Sequence, residues 1–389
     1  MSHAFQIGRN KLMLLRNGTR FFPLLCADID AAQHSVYLET YIFAVDETGR
    51  MVSQALQRAA LRGVAVHVLL DGFGSAEFPQ EWVDEMRHAG VDVQWFRRAI
   101  SPFTLSRSRK RRLYRMHRKM TVMDGEVAFV SGINIINDIP SNEDFDAPRL
   151  DYAVRVQGPL AHEVLEETRQ LWEKIKWVTL RKRIGRWRER LRRLRKKASV
   201  GPVQLLLRDN LRHRRDIEHA YLQAIEQAQR EIIIANAYFL PGRAFRQALK
   251  DAAKRGVRVV LLLQGKVEYL MQHYATLALY GQLLKAGIEI YEYRDSYLHA
   301  KVGVVDGEWA TVGSSNLEPF SMLLAREANL VVRNPPFAGA LRNSLLRAIK
   351  SGGQRVDRLN FQPFSLLFAR ISYGLIRMLV GVLGISRER

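Results

Sequence analysis

The chain has 389 residues, more than a single compact core usually contains, so we expect two domains. Its 60 basic and 39 acidic residues leave a formal net charge of +21, which indicates a polyanionic partner, either nucleic acid or an anionic membrane surface. The single cysteine, Cys26, excludes an intrachain disulfide framework and is typical of a reducing compartment.

The N-terminal segment shows no targeting signal. Residues 1–20 contain neither the apolar core nor the small-residue cleavage site of a signal peptide. Elsewhere the sequence has no run of ~18 uncharged apolar residues, the length that a membrane-spanning helix needs. These features predict a chain that stays in the cytoplasm.

Taken in chain order, the predicted elements repeat. Four segments of the first half recur, in the same order, in the second half. The matched segments begin at Val36 and Ile232, Gly63 and Gly256, Met116 and Leu298, and Ala128 and Ala310. Four matches in one order indicate a single unit that has been duplicated and fused.

Each repeat is predicted to be an α/β unit. The β-branched runs Val64–Leu70 and Val257–Leu263 are typical of buried strands. Helical stretches precede and follow the strands, at Asp28–Ala32, Val52–Arg62, Arg215–Ala228 and Arg243–Arg255. The alternation predicts two pseudo-symmetric lobes, each a mixed β-sheet flanked by helices.

The lobes are predicted at residues 1–175 and 201–357, joined by a linker at 176–200. Within the linker region, Arg181–Lys197 contains eleven Lys or Arg residues and one acid. Its apolar residues share one helical face: Ile184, Trp187, Leu191 and Leu194. A basic amphipathic helix is typical of a membrane-surface element, although a solvated helix with a docking stripe would show the same pattern.

Two further segments are unusual in composition. Arg107–Lys119 holds eight basic residues and no acid. The tail at 358–389 is apolar from Phe361 to Ile385, apart from Arg370, Arg377 and a few small residues. A helix in the tail would either lie in the lipid interface, with its arginines near the phosphates, or pack on the protein as a final helix.

The chemistry is carried by a motif that occurs once in each half, His-x-Lys followed by four residues and Asp. Its members are His117, Lys119 and Asp124 in the first half and His299, Lys301 and Asp306 in the second. Residues i and i+2 of a strand share a face, so each histidine and its lysine should point into the same space. A single copy could be accidental, whereas two matched copies indicate function.

These residue types suit transfer at a phosphodiester. A neutral imidazole is a competent nucleophile, and a second imidazolium can protonate the leaving alkoxide. Two lysines can neutralise the phosphate oxygens as charge redistributes. Each motif supplies half of such a site, and the duplication alone does not say which histidine attacks.

Polar residues downstream of each motif complete the predicted site. The side chains of Asn134, Ser314 and Asn316 can donate to non-bridging phosphate oxygens. Asp151 and Glu327 each precede an apolar strand. A histidine nucleophile needs its second ring nitrogen held by an acceptor, so these two carboxylates are predicted to orient the histidines.

The paired motifs resemble the HKD motifs of the phospholipase D superfamily, and the resemblance extends from about Gly18 to about Val356. It implies two phospholipase D-type lobes with one active site at their interface and no metal or cofactor. It also implies that His117 becomes phosphorylated while His299 acts first as acid and then as base. The motif aspartates would be supporting residues.

Within that superfamily, the stretches LETYIF, YRMHRK, IIANAYFLPG, ATVGSSNLEPFS and EANLVV are similar to bacterial cardiolipin synthases, particularly the B type. The B type lacks the paired N-terminal transmembrane helices of the main enzyme. This resemblance implies that two phosphatidylglycerol molecules are condensed into cardiolipin and glycerol. It places the chain at the cytoplasmic face of the bacterial inner membrane, with an anionic phospholipid as substrate and no nucleic acid.

Two other functions remain open from the sequence. A nuclease of the same superfamily would use the same site, and the charge of +21 would bind DNA phosphates. A phospholipase would transfer the phosphatidyl group to water. The acceptor pocket decides between these reactions, and neither that pocket nor the oligomeric state is visible in the sequence.

Overall fold

The computed structural model of the chain describes residues 4–97, 114–139, 147–183, 201–209, 213–267, 270–318, 324–357, 368–369, 371–375 and 378. Most of the basic run before Tyr114, the linker beyond Arg183 and most of the apolar tail lie outside the described residues. Within the part that is described, the chain forms two lobes, each built on one β-sheet.

The first lobe carries an eight-stranded mixed sheet in the order β1-β2-β9-β8-β7-β3-β4-β5. Neighbours β3, β4 and β5 are parallel and the remaining pairs are antiparallel. Its elements are β1 (Ala4–Ile7), β2 (Asn10–Arg16), α1 (Gly18–Ala31), β3 (Ser35–Thr40), α2 (Glu47–Leu61), β4 (Ala65–Asp71), α3 (Gln80–His88), β5 (Asp92–Phe96), β6 (Arg115–Met116), β7 (Met120–Met123), β8 (Val127–Ser131) and β9 (Tyr152–Gln157).

Helix α4 (Pro159–Arg183) leads towards the second lobe and runs past the lobe boundary predicted at residue 175. The second sheet has the order β10-β16-β15-β14-β11-β12-β13-β17. Its elements are β10 (Val203–Arg208), α5 (Asp216–Gln227), β11 (Glu231–Asn236), α6 (Arg243–Lys254), β12 (Arg258–Gln264), α7 (Leu270–Leu284), β13 (Glu289–Tyr293), β14 (Lys301–Val305), β15 (Trp309–Gly313), β16 (Ala325–Arg333), α8 (Pro335–Gly352) and β17 (Gly353–Arg355).

The predicted duplication of a mixed α/β lobe is confirmed. Each sheet has a parallel pair at its centre, β3–β4 in the first and β11–β12 in the second. On its other side, β3 pairs with the antiparallel strand β7, and β11 with β14. Both antiparallel strands begin just after a motif histidine. The starts of β7 and β14 therefore lie at the edge where the parallel strands end, which is the usual ligand-binding edge of an α/β sheet. We call this the carboxyl edge.

One apolar core is shared by the two lobes. It includes the buried side chains of Val130 and Val154 from the first sheet and of Val312 and Leu330 from the second. Burial of apolar surface between the sheets stabilises a single packed unit. The relative placement of the two histidines is fixed by this packing.

Asp124 and Asp306 immediately follow β7 and β14, at the edge of each sheet opposite the carboxyl edge. Both have a backbone φ of 54°. The carboxylate of Asp124 accepts hydrogen bonds from the backbone N–H groups of Gln33, His34 and Ser35 at 2.7–2.8 Å. Asp306 binds Gln229, Arg230 and Glu231 in the same way. The motif aspartates thus fasten the chain at the starts of β3 and β11.

We expect Asp124→Ala to lower the free energy of unfolding by about 1–3 kcal/mol, because three backbone N–H groups, one half-buried and two exposed, lose their charged acceptor. Asp124→Asn keeps one acceptor oxygen and tolerates positive φ, so it should cost less. Burial alone would raise the pKa of Asp124, but the three N–H donors hold it below its ordinary value. The stabilisation should therefore be present above about pH 4 and disappear as pH falls through the lowered pKa. Urea unfolding against pH measures both effects, and a pH-independent loss would contradict this role.

Candidate active site

Backbone hydrogen bonds between the lobes deliver the two histidines to one place. Strand β6 of the first lobe pairs with β16 of the second, and the N–H of His117 donates to the carbonyl of Arg326 at 2.9 Å. Leu150 forms the matching bridge with Leu298, and the N–H of His299 donates to the carbonyl of Leu150 at 2.9 Å. Each histidine is therefore anchored on the opposite lobe.

The predicted orienting carboxylates bind the histidines in a crossed arrangement. Nδ1 of His117 lies 3.1 Å from Oε2 of Glu327, which belongs to the second lobe. Nδ1 of His299 lies 2.6 Å from Oδ2 of Asp151, which belongs to the first. With Nδ1 engaged in each ring, Nε2 is the atom left for chemistry.

The motif lysines lie beside the histidines, as the i, i+2 spacing predicts. Nζ of Lys119 donates to the carbonyl of His117 at 2.8 Å and sits 5.2 Å from the centre of the Tyr41 ring. Nζ of Lys301 contacts the carbonyl oxygen and, at 2.8 Å, Nδ1 of His299. Both lysines are buried, and burial lowers the pKa of Lys119 well below its ordinary value. An anionic phosphate between these ammonium groups would favour their charged forms.

Burial keeps the imidazoles neutral. The pKa of His117 is lowered because burial disfavours its cation, although the charge of Glu327 acts in the opposite direction. Burial and the neighbouring Lys301 lower the pKa of His299 further. At neutral pH His117 is therefore uncharged, which is the form that a nucleophile requires.

The two orienting carboxylates differ in their own surroundings. Ser314 Oγ donates to Glu327 Oε2 at 2.6 Å, and together with His117 and Lys119 it outweighs burial and lowers the pKa of Glu327. The position equivalent to Ser314 in the first lobe is Gly132, where a Cβ would lie 2.5 Å from Oδ1 of Asp151. Burial raises the pKa of Asp151 to about 6. Glu327 is thus an ionised partner for His117, whereas Asp151 readily shares a proton with His299.

The predicted phosphate donors divide into two groups. The hydroxyl of Ser314 is directed at Glu327 rather than at open space. Asn134 and Asn316 are buried at the carboxyl edge, next to the histidines in the sheet order. Oδ1 of Asn134 accepts from the N–H of Ile42 at 3.4 Å, which orients its amide group towards the site end of β3. A phosphate contact stays a prediction for the two asparagines.

Two positioning residues were not anticipated from the sequence. The buried Asp71, at the end of β4, accepts from the N–H of Met116 at 2.7 Å. Gln264 occupies the equivalent position at the end of β12 and accepts from the N–H of Leu298 at 3.3 Å. Each side chain holds the residue that immediately precedes a motif histidine. The signal was available, because LLDG and LLQG place a polar residue at the end of an apolar strand in both repeats.

None of the described helices is both long enough and apolar enough to cross a membrane. Among the same residues, no group of three or more His, Cys, Asp or Glu side chains is arranged to hold a metal ion.

The chain resembles known proteins both in sequence and in fold. The chain matches the family described as cardiolipin synthase, phospholipase D-like domain, over residues 25–172 and 221–349. It is 39% identical over 350 residues to cardiolipin synthase B of Shigella flexneri and of Escherichia coli K12, covering 90% of this chain and 82% of each relative. The crystal structure of phosphatidylserine synthase from Haemophilus influenzae Rd KW20 superposes with a TM-score of 0.68 and 15% identity, covering 98% of this chain and 96% of that one.

Proposed function

This chain belongs to the cardiolipin synthase family of the phospholipase D superfamily, and from that premise we propose that it condenses two phosphatidylglycerol molecules into cardiolipin and glycerol. The observation that carries the mechanism is the crossed pair of histidine–carboxylate contacts, His117 with Glu327 and His299 with Asp151. It supplies one nucleophile and one proton carrier at a single site.

In the first step, Nε2 of His117 attacks the phosphorus of the donor lipid. The bond between phosphorus and the glycerol headgroup oxygen breaks. Nε2–H of His299 gives its proton to the leaving alkoxide, and the proton held by Asp151 moves to Nδ1, so that the imidazole stays neutral. The products are a phosphatidyl-histidine and free glycerol. Ionised Glu327 stabilises the positive charge that develops on His117, as the carboxylate of a catalytic triad does.

In the second step, a hydroxyl of the acceptor lipid attacks the phosphorus of the phosphatidyl-histidine. His299 takes the hydroxyl proton, the P–N bond breaks and neutral His117 is regenerated. Lys119 and Lys301 stabilise the non-bridging oxygens in both steps. Two displacements in sequence give net retention of configuration at phosphorus.

The test uses purified protein and liposomes of phosphatidylglycerol labelled in the headgroup and the acyl chains. We expect equal amounts of cardiolipin and free glycerol. Phosphatidic acid with no cardiolipin would indicate a phospholipase, and cleavage of DNA with no lipid product would indicate the nuclease. Net inversion at phosphorus, seen with a chiral phosphorothioate lipid, would exclude the covalent intermediate.

Exposed apolar side chains border the carboxyl edge of both sheets and support action at the membrane surface. Phe73 follows the end of β4 and is 59% exposed, and Leu270 follows the end of β12 and is 66% exposed. Val45 after β3, Ile139 after β8, Val267 after β12 and Met271 in the first turn of α7 are also exposed. A bilayer that receives this rim would present lipid headgroups to the histidines. We infer that the rim rests on the cytoplasmic face of the inner membrane.

The double variant Phe73→Ser, Leu270→Ser should bind phosphatidylglycerol vesicles at least about tenfold more weakly, since each side chain loses on the order of 1–2 kcal/mol of apolar burial. Leu61→Ser is the matched control, because Leu61 is 73% exposed at the far end of α2, near the start of β4. Vesicle co-sedimentation at fixed salt measures the difference. Equal weakening by the control would show that the rim has no special part in docking.

A further inference from the structure

The two lobes differ beside their histidines. Phe43 and Phe239 are equivalent, since each forms an isolated bridge with the residue that follows Asn134 or Asn316. Two residues earlier, Tyr41 is therefore equivalent to Ala237. The ring of Tyr41 lies against the His117 ring, with centroids 4.7 Å apart. On the His299 side, alanine leaves that space open.

A cavity occupies the open space. It is partly open to solvent and is lined by Ala237, Tyr238, Leu263, Gln264, Lys266, Gln272, His273, Thr276 and Tyr280. Its lining residues bind the backbone of the residues on both sides of His299. The N–H of Ala237 donates to the carbonyl of Ala300 at 3.0 Å, and Gln264 binds the N–H of Leu298. A ligand in this cavity would therefore lie beside the backbone that carries His299, on the opposite lobe from Tyr41.

The lining suits a small polyol with a phosphodiester at one end. It mixes apolar surface with the amides of Gln264 and Gln272 and three hydroxyls, of which Thr276 and Tyr280 already donate to Gln272 and Glu292. Oε1 of Gln272 is buried there without a hydrogen-bond partner among the described residues. A buried amide oxygen that lacks a partner is costly and would be satisfied by a ligand hydroxyl. Lys266, beside the exposed Val267 of the apolar rim, provides a cation for a lipid phosphate.

We propose that this cavity binds the glycerol headgroup of the acceptor lipid. The proposal rests on the proposed function and deepens it: the second phosphatidylglycerol inserts its diol between Ala237 and Gln272, with its phosphodiester at Lys266. One hydroxyl is thereby placed for proton transfer to His299 and attack on the phosphatidyl group carried by His117. The filled Tyr41 side and the open Ala237 side make a pseudo-symmetric site asymmetric, so that the donor step and the acceptor step use different histidines.

The test separates the donor step from the acceptor step. The burst of glycerol in the first turnover reports transfer to His117, and the ratio of cardiolipin to phosphatidic acid reports whether lipid or water accepts. Gln272→Leu removes the unpartnered oxygen, and Ala237→Tyr fills the space as Tyr41 does. We expect both to keep the glycerol burst and to lower the product ratio, by about fivefold to tenfold for Gln272→Leu and by more for Ala237→Tyr.

A third test variant, Lys266→Gln, removes the cation of the cavity. Each kind of substitution has a control. Gln282→Leu repeats the Gln-to-Leu change near the far end of α7, and Lys285→Gln removes a lysine charge just beyond the end of that helix. The controls should keep the wild-type ratio, whereas Lys266→Gln should lower it.

The outcomes distinguish the two proposals. If wild type forms no cardiolipin, with or without release of glycerol, the proposed function fails. If wild type forms cardiolipin and both cavity variants keep its product ratio, the acceptor site is overturned while the function stands. If Gln272→Leu loses the glycerol burst together with cardiolipin, the cavity serves the donor instead, which also overturns the proposal. Should Ala237→Tyr not fold, Gln272→Leu decides alone.

Discussion

Alanine at either His117 or His299 should abolish cardiolipin formation, with each rate falling by at least about 10⁴-fold. The reason is the crossed geometry, in which neither lobe contains a complete histidine–carboxylate pair. His88→Ala is a suitable control, because His88 is exposed on α3. Cardiolipin formation from labelled phosphatidylglycerol liposomes measures the loss. Substantial activity in either single variant would exclude the two-histidine mechanism.

The roles of the two histidines can then be separated with a phosphatidyl-p-nitrophenol substrate, whose leaving group needs no acid. His299→Ala should still release about one equivalent of nitrophenolate and accumulate label on the protein, since transfer to His117 proceeds but the second step lacks its base. His117→Ala should give no burst. If the burst follows the opposite pattern, His299 is the nucleophile.

Glu327→Gln should reduce turnover by about 10²- to 10⁴-fold, by analogy with the neutralised aspartate of a serine-protease triad. The fold should persist, because glutamine keeps the volume and an oxygen for Ser314. The pH profile distinguishes catalysis from general damage. The carboxylate charge raises the pKa of His117 against the larger effect of burial. Loss of the carboxylate charge in Glu327→Gln should lower the pKa of His117 further and move the acid limb of kcat/KM to lower pH.

A matched control for Glu327→Gln is Glu308→Gln, in the exposed turn between β14 and β15. It removes the same charge at a distance from the histidines and should leave both rate and profile unchanged. An acid limb that stays in place in Glu327→Gln, despite a slower rate, would show that the carboxylate does not act through His117.

Much of the fold followed from short-range patterns in the sequence. The runs Val64–Leu70 and Val257–Leu263 correspond to β4 and β12 with a shift of one residue, because a strand that is buried on both faces is continuously apolar. Helices α7 and α8 were not predicted. Apolar residues surround α7 with little periodicity, so its sequence lacks the polar face by which a helix is usually identified.

The components of the site were predicted, but their pairing was not. Sequence order places Asp151 near His117 and Glu327 near His299, whereas the structure joins each carboxylate to the histidine of the other lobe. Such contacts depend on how two sheets dock, and no local pattern encodes that. Ser314 illustrates the same limit. A serine in a turn suggests a ligand donor, but its hydroxyl binds Glu327, a partner that only the sheet register brings close.

Tyr41 and Ala237 occupy equivalent positions in the two lobes but differ, and so do Gly132 and Ser314. These differences bear on the ancestry of the molecule. In a homodimer of a single lobe, symmetry forces the same side chain onto both sides of the axis, so a change that improves one chemical role alters the other equally. Fusion of the two copies into one chain removes that constraint. Each half can then drift towards one task, and the pseudo-twofold axis survives in the backbone while the side chains around it specialise.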